Sequence, residues 1–236
     1  MYILSKKRIL IVLTCLTISI FSTYLIKENM KKQTVPTVSL PVSNKVIVID
    51  AGHGRPDEGA ESSNGTTEAE TNLRIALKVQ NLLEQSGCEV ILTRSNDEAI
   101  YDLDSKTLKE KKISDIHNRV KIGNESQADI FVSIHLNKIP KSQYYGWQTF
   151  YKKDNENGKK LATCIQSSLN NSIKRENDRV PLTIDNVYII KHVEIPTAIV
   201  ECGFLSNPEE EKLLLEDSYQ DKLAWGIYTG IIDYFL

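Results

Sequence analysis

Two histidines and two glutamates stand where catalytic groups of α/β proteins are commonly found. His53 follows the apolar run KVIVID in the turn AGHG, His135 ends the run DIFVSI, and Glu201 ends the run TAIV. Glu68 stands at the start of a predicted helix. In an open α/β sheet the ligand site lies beyond the carboxyl ends of the strands, so we expect these four side chains to converge there.

The types of these residues match a catalytic zinc site and its proton-transfer group. Two neutral imidazoles, one carboxylate and an open fourth position form a common zinc ligand set, and zinc lowers the pKa of a bound water to about 7. A further carboxylate is then needed to take the proton of the water and deliver it to the leaving group. Glu201 is suited to that role.

Alternating apolar and amphipathic stretches predict the elements that position these residues. Strands are predicted over 45–50, 89–93, 129–134, 146–151, 187–190 and 197–201. Helices are predicted over 70–85, 114–127 with Ser114 as a candidate N-cap, 157–173, and a C-terminal stretch with Leu223, Ile227, Ile231 and Tyr234. This order favours an α/β fold, a single domain with a mostly parallel twisted sheet flanked by helices.

The composition excludes several classes of protein. With 236 residues, 41% hydrophobic and 25% charged, the chain has a globular composition, which excludes collagen-like, disordered and multipass membrane proteins. The formal net charge of -2 leaves no basic excess, so no nucleic acid partner is expected. The four cysteines form no C-x-x-C pair, and Cys202 faces away from Glu201 on its strand, so we expect a core thiol there.

The N-terminal segment predicts a membrane anchor. Residues 9–26 form an uncharged apolar run, long enough to span most of a hydrocarbon core about 30 Å thick. The basic residues that precede this run predict that residues 1–8 form a cytoplasmic tail and that the rest of the chain lies outside the cell membrane. No small-residue cleavage site follows the run, which favours a retained signal anchor over a cleaved signal peptide, whose removal would give a secreted protein.

The region after this run is polar. Residues 27–44 contain Pro36 and Pro41 and show no helical periodicity, which predicts an extended linker. The catalytic domain is therefore predicted over residues 45–236.

The motifs around the four chemical residues resemble those of the zinc-dependent N-acetylmuramoyl-L-alanine amidases of the Amidase_3 family. VIVIDAGHGRPDEGA resembles the opening D-P-G-H-G-G-x-D-x-G-A of the family, and NGTTEAETNLRIAL resembles its G-x-x-E-K-x-x-N-L-x-I-A. LTRS, NRVKIGNESQADIFVSIHLN, GWQTFY and VECGFLSNPEEEKLL follow in order. The resemblance runs from about Val46 to the C-terminus, and the motifs together are highly specific.

Carried over residue by residue, the resemblance implies one catalytic carboxylate, Glu201, and three zinc ligands, His53, Glu68 and His135. Glu70 is the alternative to Glu68. The ligand glutamate of the family stands four residues before the Asn of its N-L pair, which is Asn72 here, and this spacing selects Glu68.

The resemblance also implies a function, the hydrolysis of the amide bond between N-acetylmuramic acid and L-alanine in peptidoglycan. The D-A-G-H-G motif, the single apolar N-terminal segment and the lack of a repeat or wall-binding module resemble the sporulation branch of the family, which contributes to muramic δ-lactam in the spore cortex and thereby to germination. An auxiliary wall or spore protein is an expected partner. The alternatives are another zinc peptidase that acts on the stem peptide and a non-catalytic peptidoglycan-binding module.

Other polar residues receive less definite interpretations. Arg119 either orders the site or forms a salt bridge on a helix surface, and Asn137 either orients substrate or caps a loop. His117 and His192 are expected on the surface. Residues 209–211, three glutamates after a proline, are expected to form a solvated helix start.

Overall fold

The computed structural model describes residues 6–32 and 40–236. The chain divides into two compact units, and the second begins at Leu40. In the first unit, one helix, α1, spans Lys6–Lys32. Among the described residues, no helix is both long and apolar enough to cross a membrane.

The linker predicted over residues 27–44 differs from the structure at both ends. Its first six residues belong to α1, because the first proline of the segment is Pro36 and nothing before it interrupts a helix. Near the other end, Val42 is fully buried in the core of the second unit. Residues 33–39 of the predicted linker and residues 1–5 of the predicted tail lie outside the described residues.

The second unit alternates strands and helices. Its strands are β1 (Val46–Ala51), β2 (Glu89–Leu92), β3 (Ile130–Asn137), β4 (Gln148–Tyr151), β5 (Leu182–Thr183) and β6 (Thr197–Phe204). Its helices are α2 (Glu68–Gln85), α3 (Leu108–Glu125), α4 (Glu156–Ser172), α5 (Tyr188–His192), α6 (Pro208–Leu215) and α7 (Asp217–Tyr234).

In the described part of the chain the strands form one six-stranded sheet in the order β2-β1-β3-β6-β4-β5. β4 runs antiparallel to β6, and the other neighbouring strands run parallel. The predicted α/β domain is therefore confirmed. Its sheet is mixed, because one of the five strand pairs is antiparallel.

Helices cover both faces of this sheet. Alternate strand residues such as Ile47, Ile134 and Val200 pack in a large core with α2, α4 and α7. The residues between them face the other way, where Val48 and Phe131 pack with α3 and α5. Because the side-chain period of a strand is two residues, this division also decides the face on which each catalytic candidate lies.

Two predicted elements were wrong. The strand predicted over 187–190 is the one-turn helix α5, whose buried residue Ile189 packs in the core on the α3 side of the sheet. A short apolar run does not distinguish a strand from a buried helix. The helix predicted from Ser114 begins at Leu108, where Thr107 and Glu110 form a capping box.

The glutamates after Pro208 also differ from the prediction. They do start a helix, with Asn207 as the N-cap. Glu210 and Glu211 are buried rather than solvated, with 0% and 2% of their surface exposed. Glu211 accepts hydrogen bonds from the hydroxyls of Ser62 and Thr66, at 2.5 and 2.8 Å. The loop before α2 supplies these donors, and they stabilise a carboxylate that burial alone would disfavour.

Candidate metal centre and active site

The four predicted residues meet at the carboxyl ends of β1, β3 and β6. His53 lies two residues after β1. His135 and Glu201 do not end their strands as predicted, because the ladder between β3 and β6 continues past them to Asn137 and Phe204. They are register partners on these adjacent parallel strands, so their side chains lie on the same face of the sheet.

Glu68 connects the two histidines. Its Oε1 lies 2.9 Å from Nδ1 of His135 and 3.3 Å from Nε2 of His53. One potential ligand atom from each of the three residues lies within 4.8 Å of the other two. Glu70, the alternative, is exposed, and its carboxylate pairs with Arg74 at 2.5 Å. The structure therefore brings Glu68, and not Glu70, to the histidines.

The local fold explains why Glu68 points into the cluster. Thr67 is the N-cap of α2, so Glu68 is the first residue of the helix. The backbone N–H of Ala60 donates to its Oε2 at 2.8 Å, and the N–H of Leu136 donates to its Oε1 at 3.1 Å. Two imidazole nitrogens and a fixed carboxylate oxygen are a donor set that suits a divalent metal such as zinc.

The pKa values show how strongly these groups interact. Burial alone would lower the pKa of His53, but hydrogen bonds to Asp57 and Glu68 outweigh it and raise this pKa to about 9. Burial alone would raise the pKa of Glu68, but hydrogen bonds to both histidines outweigh it and hold this pKa well below its usual range. The cluster therefore favours the ionised forms of His53 and Glu68.

Glu201 lies beside this cluster without a direct bond to it in the described residues. Its Oε2 is buried and has no hydrogen-bond partner among them. Burial raises the pKa of Glu201 to about 7, although nearby His135 acts in the opposite direction. A carboxyl group with such a pKa can both accept and release a proton near neutral pH.

The loop that carries His53 is held in an unusual backbone conformation. His53 has a φ of 63°, in the left-handed region that non-glycine residues rarely adopt. Asp57 Oδ2 lies 3.0 Å from Nδ1 of His53, and the backbones of Gly54 and Asp57 exchange two hydrogen bonds. Lys112 of α3 in turn pairs with Asp57 Oδ1 at 2.8 Å. Asp57 thus occupies Nδ1 and leaves Nε2 directed toward Glu68.

We expect Asp57→Asn to weaken zinc binding by about 10- to 100-fold, as is typical when the partner that orients a metal-binding histidine is lost. The amide weakens the hydrogen bond that fixes the His53 ring, while the three ligand atoms remain. Chelator competition on the purified protein measures the affinity. Asp104→Asn, at an exposed position before α3, is the control, and equal affinities in the two variants would contradict the prediction.

Arg119 is an internal anchor of the site rather than part of a surface salt bridge. Its side chain is 2% exposed, and its guanidinium pairs with Asp50 at 2.6 Å and Asp115 at 2.7 Å. It also donates to the backbone carbonyl of Ala51 at 2.7 Å and to that of His53. Of the two interpretations left open by the sequence, the structure supports the ordering role.

Arg119→Met is expected to lower the free energy of unfolding by about 3–5 kcal/mol, because it leaves two buried carboxylates without their cation. Urea denaturation followed by circular dichroism measures this change. Arg74→Met removes an arginine from an exposed pair and should change stability by less than about 1 kcal/mol. A similar loss in both variants would show that the buried network does not stabilise the fold.

Two glycines allow the cluster to close. A Cβ on Gly52 would lie 2.3 Å from Cε1 of His135. Gly59 has a φ of 70°, and a Cβ there would lie 2.7 Å from Oε2 of Glu68. Both positions therefore require the backbone to approach a site residue more closely than any side chain permits.

Sequence reasoning assigned no role in the site to three further residues that order it. Besides Asp57, Arg94 donates to the carbonyls of Ala51, Gly52 and Ala69 at 2.9, 3.0 and 2.7 Å. Asn72 donates to the carbonyl of Gly52 at 3.2 Å. All three residues lie inside the motifs that carried the family resemblance. Membership in these motifs was the feature of the sequence that could have identified them.

The structure confirms the interpretations of Cys202, His117 and His192 and leaves that of Asn137 open. Cys202 is fully buried in the main core, and burial raises its thiol pKa far above the usual range, as expected for a core thiol. His117 and His192 are exposed as predicted, and each contacts the ring of Tyr188. The backbone carbonyl of Asn137 accepts a hydrogen bond from Leu205 at 2.8 Å, which leaves both roles proposed for its side chain open.

Comparison with known proteins supports one family. Residues 47–233 match the family model Amidase_3, N-acetylmuramoyl-L-alanine amidase. The germination-specific N-acetylmuramoyl-L-alanine amidase of Bacillus subtilis is 39% identical over 197 residues, which cover 84% of this chain and 82% of the relative.

Solved structures agree with that match. The CwlD amidase of Clostridioides difficile, determined in complex with the GerS lipoprotein, has a TM-score of 0.79 and 46% identity, and the alignment covers 81% of this chain and 98% of that one. An N-acetylmuramoyl-L-alanine amidase from Clostridium difficile 630 has a TM-score of 0.71 and 31% identity, covering 81% and 97% of the two chains. The matched region contains all four predicted site residues, and the chain belongs to the Amidase_3 family of N-acetylmuramoyl-L-alanine amidases, which are hydrolases.

Proposed function

We propose that this protein hydrolyses the amide bond between N-acetylmuramic acid and L-alanine in peptidoglycan with a zinc ion held by His53, Glu68 and His135. The observation that carries the proposal is the convergence of these three donors within 4.8 Å, next to the buried and unpartnered carboxylate oxygen of Glu201. A bound zinc ion would polarise the scissile carbonyl and make water a usable nucleophile.

The protein's own residues supply the proton transfers. Glu201 takes a proton from the attacking water as the water oxygen bonds to the lactyl carbonyl carbon. The same carboxyl group then gives this proton to the nitrogen of L-alanine as the carbon–nitrogen bond breaks. The products are a lactyl carboxylate on the sugar and a free amine on the stem peptide. Asp57 and Arg119 contribute by holding the His53 loop in position.

Mass spectrometry of peptidoglycan digested with the full chain tests this function. We expect intact stem peptides that begin with L-alanine, together with muramic acid that carries no peptide, and neither product after treatment with a chelator. Cleavage between amino acids would instead identify a peptidase that acts on the stem peptide. Metal-free, inactive protein that still binds peptidoglycan would instead identify a non-catalytic binding module.

We further propose that the substrate is spore cortex peptidoglycan. The similarity to a germination-specific amidase supports this proposal, as does the similarity to the CwlD amidase. Hydrolysis frees the lactyl carboxyl group, which an internal muramic δ-lactam must use, while a separate deacetylation must free the sugar nitrogen. Deletion of the gene in its host should remove the δ-lactam from spore muropeptides, and an unchanged δ-lactam content would contradict this assignment.

The location of the protein is a proposal from the sequence. We propose that residues 9–26 hold the chain at the cell membrane with residues 40–236 on the outer side, because the run is uncharged and basic residues precede it. Protease added to intact protoplasts should then digest the catalytic unit. Protection of this unit would contradict the orientation, and recovery of the whole chain in the medium would contradict the anchor.

An auxiliary protein is the last part of the proposal. The solved CwlD amidase forms a complex with a lipoprotein, and by similarity we propose a lipoprotein partner for this chain. The measurement is hydrolysis of intact cortex by the purified chain, with and without a lipoprotein encoded by the same host that co-purifies with it. Equal rates would contradict a need for the partner.

A further inference from the structure

A second cavity, of about 520 Å³, opens at the same edge of the sheet as the candidate metal centre. It is lined by residues 143–145, which precede β4, and residues 176–179, which precede β5. We refer to it as the tyrosine cavity. Gln148, at the start of β4, is the register partner of Glu201 in the antiparallel pair. Neighbouring strands are about 4.8 Å apart, so the segment before β4 enters the sheet one strand away from Glu201.

The walls of the tyrosine cavity contact the end of the catalytic strand β6. The rings of Tyr144 and Phe204 lie 6.4 Å apart, and the guanidinium of Arg179 lies 4.9 Å from the centre of the Phe204 ring. Phe204 is the last residue of β6, three positions after Glu201. The cavity and the proton-transfer residue therefore share one structural element.

A buried carboxylate fixes this arrangement. Glu210 accepts a hydrogen bond from the backbone N–H of Gly146 at 2.6 Å and another from the N–H of Phe204 at 2.7 Å. The side chain of Asn177 donates to the carbonyl of Trp147 at 2.8 Å. This hydrogen bond connects the lining segment before β5 to the segment that leads into β4. Arg175 packs over the ring of Tyr145 at 4.0 Å. The site is thus largely formed before a ligand arrives, and this lowers the entropic cost of binding.

The lining suits a neutral, hydroxyl-rich ligand better than an anionic one. The lining contains two carboxylates, of Glu176 and Asp178, and one guanidinium, of Arg179. Nη1 of that guanidinium already donates to the carbonyl of Tyr145 and to Oδ1 of Asn177, so part of its donor capacity is used within the protein, and the carboxylates outnumber it. Tyr144 is 39% exposed and offers an aromatic face to the apolar side of a sugar ring.

These properties distinguish between the two components of peptidoglycan, the stem peptide and the glycan strand, as ligands of the cavity. The stem peptide carries carboxylates, which the two acidic side chains would repel. The glycan presents hydroxyl and acetamido groups, which can donate to carboxylate and amide oxygens and accept from tyrosine hydroxyls. We propose that the tyrosine cavity binds the glycan strand and receives an N-acetylated sugar close to the muramic acid that is cleaved. This inference rests on the proposed amidase function. It adds that the enzyme recognises its substrate through the glycan strand as well as through the scissile bond.

The test measures binding rather than turnover, so that it can fail separately from the amidase function. Isothermal titration calorimetry of the full chain with a tetramer of N-acetylglucosamine measures the affinity for the glycan. The same titration with free stem peptide measures the affinity for the peptide. Tyr144→Ala and Asp178→Asn are expected to weaken tetramer binding by at least about tenfold. Trp225→Ala, which removes a 51% exposed aromatic side chain from α7 outside the tyrosine cavity, should leave it unchanged.

Several outcomes would overturn the assignment. Unchanged tetramer binding in Tyr144→Ala and Asp178→Asn proteins with wild-type zinc content would show that the sugar binds elsewhere. Loss of stem-peptide binding in these variants, with tetramer binding intact, would assign the cavity to the peptide. Tetramer binding that depends on Tyr144 supports the proposal even if the protein proves to cleave a different bond.

Discussion

Replacement of Glu201 by Gln is expected to lower kcat for release of stem peptides by about 10³-fold, within the range that general acid–base catalysis contributes. Gln has nearly the same shape as Glu but cannot take a proton from water near neutral pH. The zinc content should stay unchanged, because Glu201 is not among the three clustered donors. Elemental analysis of the purified variant and mass spectrometry of its products measure the two quantities.

The control for this variant is Glu194→Gln, which changes an exposed glutamate in the segment before β6. We expect its turnover to match that of the unmodified protein. Near-normal turnover in Glu201→Gln would refute the proton-transfer role. Loss of zinc from Glu201→Gln would show instead that this carboxylate helps to hold the metal.

Replacement of Glu68 by Ala should remove both zinc and activity. The carboxylate is one of three donors, and it also bridges the two imidazoles, at 2.9 Å from His135 and 3.3 Å from His53. We expect the zinc affinity to fall by more than the roughly 100-fold that the loss of an orienting partner costs. Release of stem peptides should fall to the level of chelated protein.

Glu70→Ala is a closely matched control because it removes the same side chain two residues further along α2. Glu70 is exposed and pairs only with Arg74 in the described residues, so its loss should change stability by about 0.5 kcal/mol or less. Zinc content and turnover should remain those of the unmodified protein. Full zinc occupancy in Glu68→Ala together with loss of zinc in Glu70→Ala would reverse the assignment of the ligand.

The choice between Glu68 and Glu70 shows what local sequence leaves undecided. Glu68 and Glu70 are alike in type and lie two positions apart near a helix start, so local sequence alone does not separate them. The family spacing selected Glu68, and the structure places it against both histidines while Glu70 faces solvent. The physical difference is helix geometry, since residues two apart lie on different faces.

The wrong predictions for residues 187–190 and for the glutamates after Pro208 have a common cause. The segment around Ile189 has the composition of a strand but packs as a helix on the α3 side of the sheet. Glu210 and Glu211 have the composition of a solvated helix start but are buried. In each case the deciding partner lies far away in sequence, as with Ser62 and Glu211, which are 149 positions apart. Local patterns carry no information about such partners.

The sequence by itself determined the residue types, the family motifs and the alternation of strands and helices. These were enough to predict an α/β domain and to select His53, Glu68, His135 and Glu201, because backbone preferences and local spacing are encoded within short segments.

Only the tertiary structure decided how these residues meet and what supports them. Pairing of β3 with β6 brings His135 beside Glu201, and the contacts of Asp57 with Lys112 and of Arg119 with Asp50 hold the first loop. Such contacts depend on where distant elements pack and on which buried polar groups find partners. These are properties of the complete fold, because the free energy of a buried charge depends on all the groups around it.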